Sequence, residues 1–207
     1  MNHNNNQDEQ IQDTSLQPLA TIANMIDSKD SYTKGHSQRV SVYSAQIAEA
    51  LGLSKEEVEN IRQVALLHDI GKVGIPDSIL NKPDGLTAEE AAIMKQHVII
   101  GGDIIKNVEA IPGLYDGVRY HHERYDGKGY PEGLKGEEIP YVARIIAVAD
   151  AYDAMTTTRV YRKYLDDELV IDELIRGAGA QFDPVILHTM IDSLKAGTIK
   201  NISPDIK

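Results

Sequence analysis

Cysteine is missing altogether from these 207 residues. Disulfides, thiolate metal sites and thiol catalysis are excluded together, and a reducing cytoplasm is compatible with the chain. Also missing is any apolar run of membrane-spanning length, and the N-terminus lacks the charged-then-apolar pattern of a secretion signal. A cytoplasmic location without membrane association is expected. Positive charge is scarce: 21 Lys and Arg face 32 Asp and Glu, a formal net charge of -11. That balance argues against binding to nucleic-acid polymers or anionic membranes. It leaves room for a small anionic ligand, provided positive charge is gathered at one place. Finally, no run of alternating apolar residues is long enough for a strand. The fold class expected is therefore all-α, a single-domain helical bundle, with a loop after His122 that leaves room for a minor hairpin.

What is present suits one domain with a sizeable core, since 42% of the chain is hydrophobic and 26% charged. Residues 1–13, nearly all Asn, Gln, Asp and Glu, are expected to form a disordered polar tail ahead of a domain spanning 14–207. Leu19, Ile22 and Ile26 begin a helical stripe. A second helix is expected from His36 to Leu51, with Gly52 as its stop, and Ser54 with Glu57 forms a capping box for a third. A short helical turn is expected between Pro76 and Lys82-Pro83-Asp84-Gly85. Thr87 and Glu90 cap a helix expected to reach His97 and to break near Gly101-Gly102. A further helix should run from Ile111-Pro112 to His121-His122, a Gly- and Pro-rich loop follows, and Tyr141 to Thr157 reads as a long apolar helix. Asp166 and Pro184 open the last two.

The stretch from Leu66 to Pro76 organises the rest. Val58, Ile61 and Ala65 recur at helical spacing, and His68 falls on their stripe, so it points inward with Asp69 beside it at the helix end. Gly71 is expected to leave that helix in a left-handed conformation. An imidazole and a carboxylate driven inward need a strong partner, because an unpaired buried charge is costly. Of the seven histidines, His3 lies in the polar tail and His188 reads as an ordinary core histidine. His36, His68, His97, His121 and His122 each sit at a helix end or next to a break, where a bundle converges on a shared cavity. Asp150 ends the apolar run from Ile145 to Ala149. Alone it could be a salt-bridged structural acid. Five imidazoles and two carboxylates exceed the four ligands of a tetrahedral zinc site and suit two six-coordinate ions sharing a carboxylate. Donors of this kind, without sulfur, suit Mn, Fe, Ni or Zn.

Here the residues match a known pattern. The His68-Asp69 doublet resembles the HD superfamily of metal-dependent phosphohydrolases, and the run from His121 to Pro131, HHERYDGKGYP, narrows the resemblance to HD-GYP domains. The run from Tyr32 to Ser37, Lys72 with Gly74-Ile75-Pro76, Asp150 to Met155, and Phe182-Asp183-Pro184 fall where that family has motifs. The resemblance covers about Leu19 to Leu194. It implies hydrolysis of cyclic di-GMP to pGpG and then GMP, with cyclic GMP-AMP or pGpG as other substrates, or else a signalling module that binds without cutting. It implies one metal on His36, His68, Asp69 and Asp150 and another on Asp69, His97, His121 and His122, with Fe or Mn expected first and Ni or Zn compatible. Lys72 would contact the scissile phosphate, Arg159 and Arg162 the other phosphate, and Asp153 a guanine edge. Tyr130 would lie in a loop beside the site, a loop through which signalling partners could dock, and a homodimer is also left open.

Chemistry supports that assignment. Phosphodiester hydrolysis needs an activated water in line with the leaving oxygen and relief of charge on the phosphoryl group. Two metals about 3.5–4 Å apart supply a bridging hydroxide and Lewis-acid contacts. Lys72 adds a point charge, and arginines clamp phosphate with forked donors. The departures are local. Tyr32 stands where some members have a Glu that supports a third metal, so two ions are expected. Val160 stands where Pro is usual, and Thr158 where Asp is common. Most relatives carry a sensory or receiver domain ahead of this one, so the chain is expected to be either a stand-alone enzyme or a piece of a longer protein.

Overall fold

The computed structural model describes residues 4–30, 34–157 and 167–202. Those residues are all-α: ten helices and no strand among them. In order they are α1 (Asn4–Lys29), α2 (His36–Ala50), α3 (Lys55–Leu66), α4 (Asp77–Leu80), α5 (Ala88–Met94), α6 (His97–Ile105), α7 (Leu114–Tyr120), α8 (Tyr141–Thr156), α9 (Asp167–Arg176) and α10 (Pro184–Lys195). A tight helical turn, Ile70–Gly74, follows α3.

α2 and α8 form the centre because both are apolar on the sides they turn to the bundle. Val40, Tyr43 and Ile47 on α2 and Ile145, Ile146, Val148 and Ala149 on α8 are fully buried, each large aliphatic contributing about 1.5–3 kcal/mol. Tyr43 meets Tyr152 edge to face, ring centroids 4.9 Å apart. Its hydroxyl donates to Asn201 Oδ1 at 3.1 Å and accepts from the Ile202 N–H at 2.9 Å, so the buried phenol is satisfied.

Local chemistry starts and stops the helices as expected in several places. Ser54 with Glu57 and Thr87 with Glu90 form complete capping boxes. Pro184 opens α10 behind Asp183, whose carboxylate accepts from the Val185 and Ile186 N–H groups. Asp166 lies outside the described residues. α2 is capped from a distance. Asp27, at the end of α1, accepts from the Ser37 N–H at 3.2 Å and hydroxyl at 2.6 Å, supplying the carboxylate that a helix N-terminus favours.

Four expectations need correction. The helix after Thr87 breaks at Lys95-Gln96, ahead of His97, and Gly101-Gly102 lie inside α6. Those glycines serve close packing: a Cβ on Gly101 would stand 2.7 Å from Val118 Cγ1 and 3.2 Å from the Gly71 nitrogen. Gly71 likewise has no left-handed backbone. It is glycine because a Cβ there would stand 1.8 Å from the His97 carbonyl oxygen. On α1 the inward residues are Ala23 and Ile26, with Leu19 half-buried, whereas Ile22 is exposed. The buried row follows i, i+4, i+7 spacing. α1 starts at Asn4. Lastly, His188 is exposed rather than in the core. In the loop between His122 and α8 the only pairing among the described residues is an isolated antiparallel bridge between Asp126 and Lys135, so no hairpin forms there.

Candidate metal centre

Each of the five histidines is delivered to one cavity by a helix boundary. His36 opens α2, His68 follows the end of α3, His97 opens α6, and His121-His122 follow α7. Four of the rings are oriented by the same device. The Nδ1 of His68 faces the Ala65 carbonyl at 2.7 Å, that of His97 the Met94 carbonyl at 2.8 Å, and that of His121 the Val118 carbonyl at 3.0 Å. The Nδ1 of His36 faces Asp153 Oδ2 at 2.8 Å. Carbonyls and carboxylates only accept, so each Nδ1 must carry a proton, and the rings of His68, His97 and His121, which burial keeps neutral, retain a lone pair on Nε2. All four Nε2 atoms point at Asp69.

Asp69 divides its two oxygens between them. Oδ2 lies 3.4 Å from His68 Nε2 and 3.7 Å from His36 Nε2. Oδ1 lies 3.4 Å from His97 Nε2 and 3.8 Å from His121 Nε2. Two sets of potential ligand atoms result, each within 4.8 Å: Asp69, His97, His121 and His122, and His36, His68 and Asp69. Asp150 borders the second set, its Oδ1 3.3 Å from His36 Nε2. His68 Nε2 is fully buried and has no hydrogen-bond partner, the kind of stranded lone pair that a cation satisfies. The donor set therefore fits divalent transition metals, with all seven expected ligand residues gathered at one point.

Electrostatics agree. Burial holds the imidazoles of His97 and His121 down at about 4 and lowers that of His68 as well, so these rings are neutral and ready to donate at pH 7. Burial also opposes charge on His36, but the carboxylates of Asp150 and Asp153 outweigh it and raise the ring to about 9. That flank demands a positive charge, which a metal ion supplies as well as a proton does. Burial would raise the carboxyl of Asp69, yet Lys72 and the surrounding imidazoles hold it well below the usual range.

Lys72 lies on the tight turn after Asp69, its Nζ 2.8 Å from Asp69 Oδ2 and 3.2 Å from Asp30 Oδ2. Burial disfavours its charge, and those two carboxylates more than restore it. Tyr130 stacks on His122, centroids 5.0 Å apart, and its N–H donates to the His122 carbonyl at 3.3 Å. The loop that carries it is tied down by Glu123, whose Oε1 accepts from the Glu132 and Gly133 N–H groups at 2.7 and 3.0 Å. Gly129 fits there because a Cβ would stand 2.3 Å from the Arg124 nitrogen. A cavity of about 360 Å³ opens beside the centre, walled by His122, Asp150, Arg124, Met155 and Gln181.

Asp153 is the one described site residue that departs from expectation. It is wholly buried behind His36, and Arg39 donates to both its oxygens, Nε to Oδ1 at 2.6 Å and Nη2 to Oδ2 at 3.1 Å. A carboxylate so engaged cannot read a guanine edge. It orients His36 instead. Arg39, Asp30 and Glu123 were missed in the sequence, although a signal existed: His36 and Arg39, like Asp150 and Asp153, are three apart and share a helix face. Arg159, Arg162, Tyr32, Thr158 and Val160 lie outside the described residues.

Residues 20–186 match the model of a family described as HD domain. A protein of Thermotoga maritima named cyclic di-GMP phosphodiesterase is 43% identical over 82% of this chain and 47% of its own length. One from Vibrio cholerae, named 3'3'-cGAMP-specific phosphodiesterase 2, is 36% identical over 88% of this chain and 35% of its own length. A solved structure of a cyclic GMP-AMP specific phosphodiesterase of V. cholerae superposes with a TM-score of 0.67 at 19% identity, covering 86% of this chain and 48% of that one. This chain thus spans less than half the length of these relatives. No helix among its described residues is long and apolar enough to cross a membrane.

Proposed function

The chain belongs to the HD domain family, and on that footing we propose that it is a metal-dependent phosphodiesterase hydrolysing cyclic di-GMP to pGpG, with GMP as a second-stage product. The observation that carries this reading is the division of Asp69, whose two oxygens each serve a separate pair of imidazoles. One carboxylate so placed suits two divalent ions side by side, Fe or Mn first among them. When bound, such ions supply the Lewis acidity and the activated water that phosphodiester hydrolysis requires.

The protein's own groups do the rest. His36, His68 and Asp150 hold one side and His97, His121 and His122 the other, with Asp69 common to both. Lys72, kept cationic by Asp69 and Asp30, places a positive charge where the phosphoryl group gains negative charge. The cavity beside Asp150 and His122 receives the nucleotide, while Arg159 and Arg162 are assigned to the second phosphate. Tyr130 fixes the His122 ring. Because that ring contact engages Tyr130, any docking of partners on its loop falls to exposed neighbours such as Lys128.

A second reading changes only the substrate. The name of the V. cholerae relative favours the mixed dinucleotide cyclic GMP-AMP. A turnover assay on cyclic di-GMP, cyclic GMP-AMP and pGpG, run anaerobically with Mn and with Fe, separates the two. Fastest cleavage of cyclic di-GMP is expected. Protein loaded with metal that binds these nucleotides but leaves all of them uncut over hours is a signalling module and not an enzyme.

A further inference from the structure

Lys72 is the catalytic cation of the proposed phosphodiesterase, and the role of Lys29 rests on that reading. Lys72 is mounted on a turn of five residues, Ile70–Gly74; at its exit the Ile75 N–H donates to the Lys72 carbonyl at 3.1 Å, a single bond that leaves room on the exit carbonyls for further donors. Lys29, from the last turn of α1, supplies them. Its Nζ donates to the carbonyl of Lys72 at 3.2 Å, of Val73 at 2.9 Å and of Ile75 at 2.6 Å. An ammonium has three donors, and all three are spent on this one turn. Asp77 Oδ1, 3.4 Å away, balances the charge. The Lys29 carbonyl is itself held by Asn81 Nδ2 at 2.9 Å. The next residue, Asp30, grips the Lys72 ammonium from the other end at 3.2 Å.

We propose that Lys29 is a positioning residue for Lys72: it fixes the backbone from which the ammonium reaches Asp69, while Asp30 fixes the ammonium itself. A surface lysine with no such task would leave its charge in water. This one is three-quarters covered and bonded to carbonyls more than forty positions away in sequence.

The test uses the metal-loaded full chain carrying Lys29→Met or Lys29→Arg, each with and without Lys72→Ala. Lys29→Met should lower kcat for cyclic di-GMP by about tenfold, with KM held within about twofold, since misplacing a catalytic group by about 1 Å costs up to about 10²-fold. Metal content should match the parent's. Lys29→Arg should recover part of the loss. In the Lys72→Ala background, Lys29→Met should cost nothing more, because the two residues act as one unit. Independently of turnover, amide hydrogen exchange should quicken at Ile75, whose N–H donates to the Lys72 carbonyl at 3.1 Å, while α8 stays unchanged. Additive losses in the double variant, or unaltered exchange at Ile75, overturn the proposal. A parent protein that cleaves no cyclic dinucleotide defeats the function instead, and the exchange measurement then decides Lys29 alone.

Discussion

The imidazoles of this centre are anchored in two different ways. His68, His97 and His121 each turn Nδ1 back to a carbonyl three or four residues earlier, so the stretch of chain that presents the ring also orients it. His36 has no such local partner. It depends on Asp153, 117 positions away on α8, and through Asp153 on Arg39. The local anchors form whenever that short stretch of chain folds. The distant one forms only when α2 and α8 are packed, which makes the His36 side of the centre the side that reports on tertiary structure.

The heaviest blow to this contrast is Asp69→Ala, which removes the one group common to both sides. Turnover should vanish and the content of both metals should fall by elemental analysis; normal turnover would mean that Asp69 does not join the two sides. Lys72→Ala touches neither kind of anchor. It should retain metal and lose rate by roughly 10²–10³-fold, and an unchanged rate would place Lys72 outside the chemistry. Asp153→Asn tests the distant anchor directly. On the proposed two-ion reading it should weaken one ion by about 10–100-fold while the other stays bound, so titration should separate two affinities. Equal weakening of both would erase the distinction between local and distant anchors.

The gentlest effect is on stability. His97 and His121 stand at about 4 in the fold against an ordinary 6.5. Across that window the unfolded chain binds more protons, so metal-stripped protein should lose stability as pH falls from 6.5 to 4. His36, raised to about 9, behaves oppositely: its contribution is complete below 6.5 and is lost as pH climbs through 9. Thermal melts between pH 4 and 9 should therefore decline toward both ends, and a flat acid limb would contradict the burial of His97 and His121.

The same contrast explains what the sequence could tell. Capping boxes at Ser54 and Thr87, the proline opening α10 and the inward stripe that ends in His68 are local patterns, and they were legible. The gathering of the five histidines was legible too, because imidazoles at helix ends are conspicuous. Partners of one residue supplied by another helix were not. Asp153 was assigned to a guanine edge by family resemblance, and nothing near it in sequence names His36 and Arg39 as its partners. Gly71 was read as a dihedral device because glycine's other use, letting two backbones touch, is invisible until both backbones are placed. For the same reason the break before His97 was misplaced to the glycines.

That touching of backbones bears on how firmly the centre is held. Gly71 rests against the His97 carbonyl with no side chain between them, so the interval separating the turn of Asp69 from the ring of His97 is set by main chain against main chain. Side chains yield to a larger guest by changing rotamer. Two abutting peptide groups cannot. Any side chain at position 71 would have to pry the turn of Asp69 away from the start of α6, so the spacing of these two parts of the centre is held by the scaffold itself.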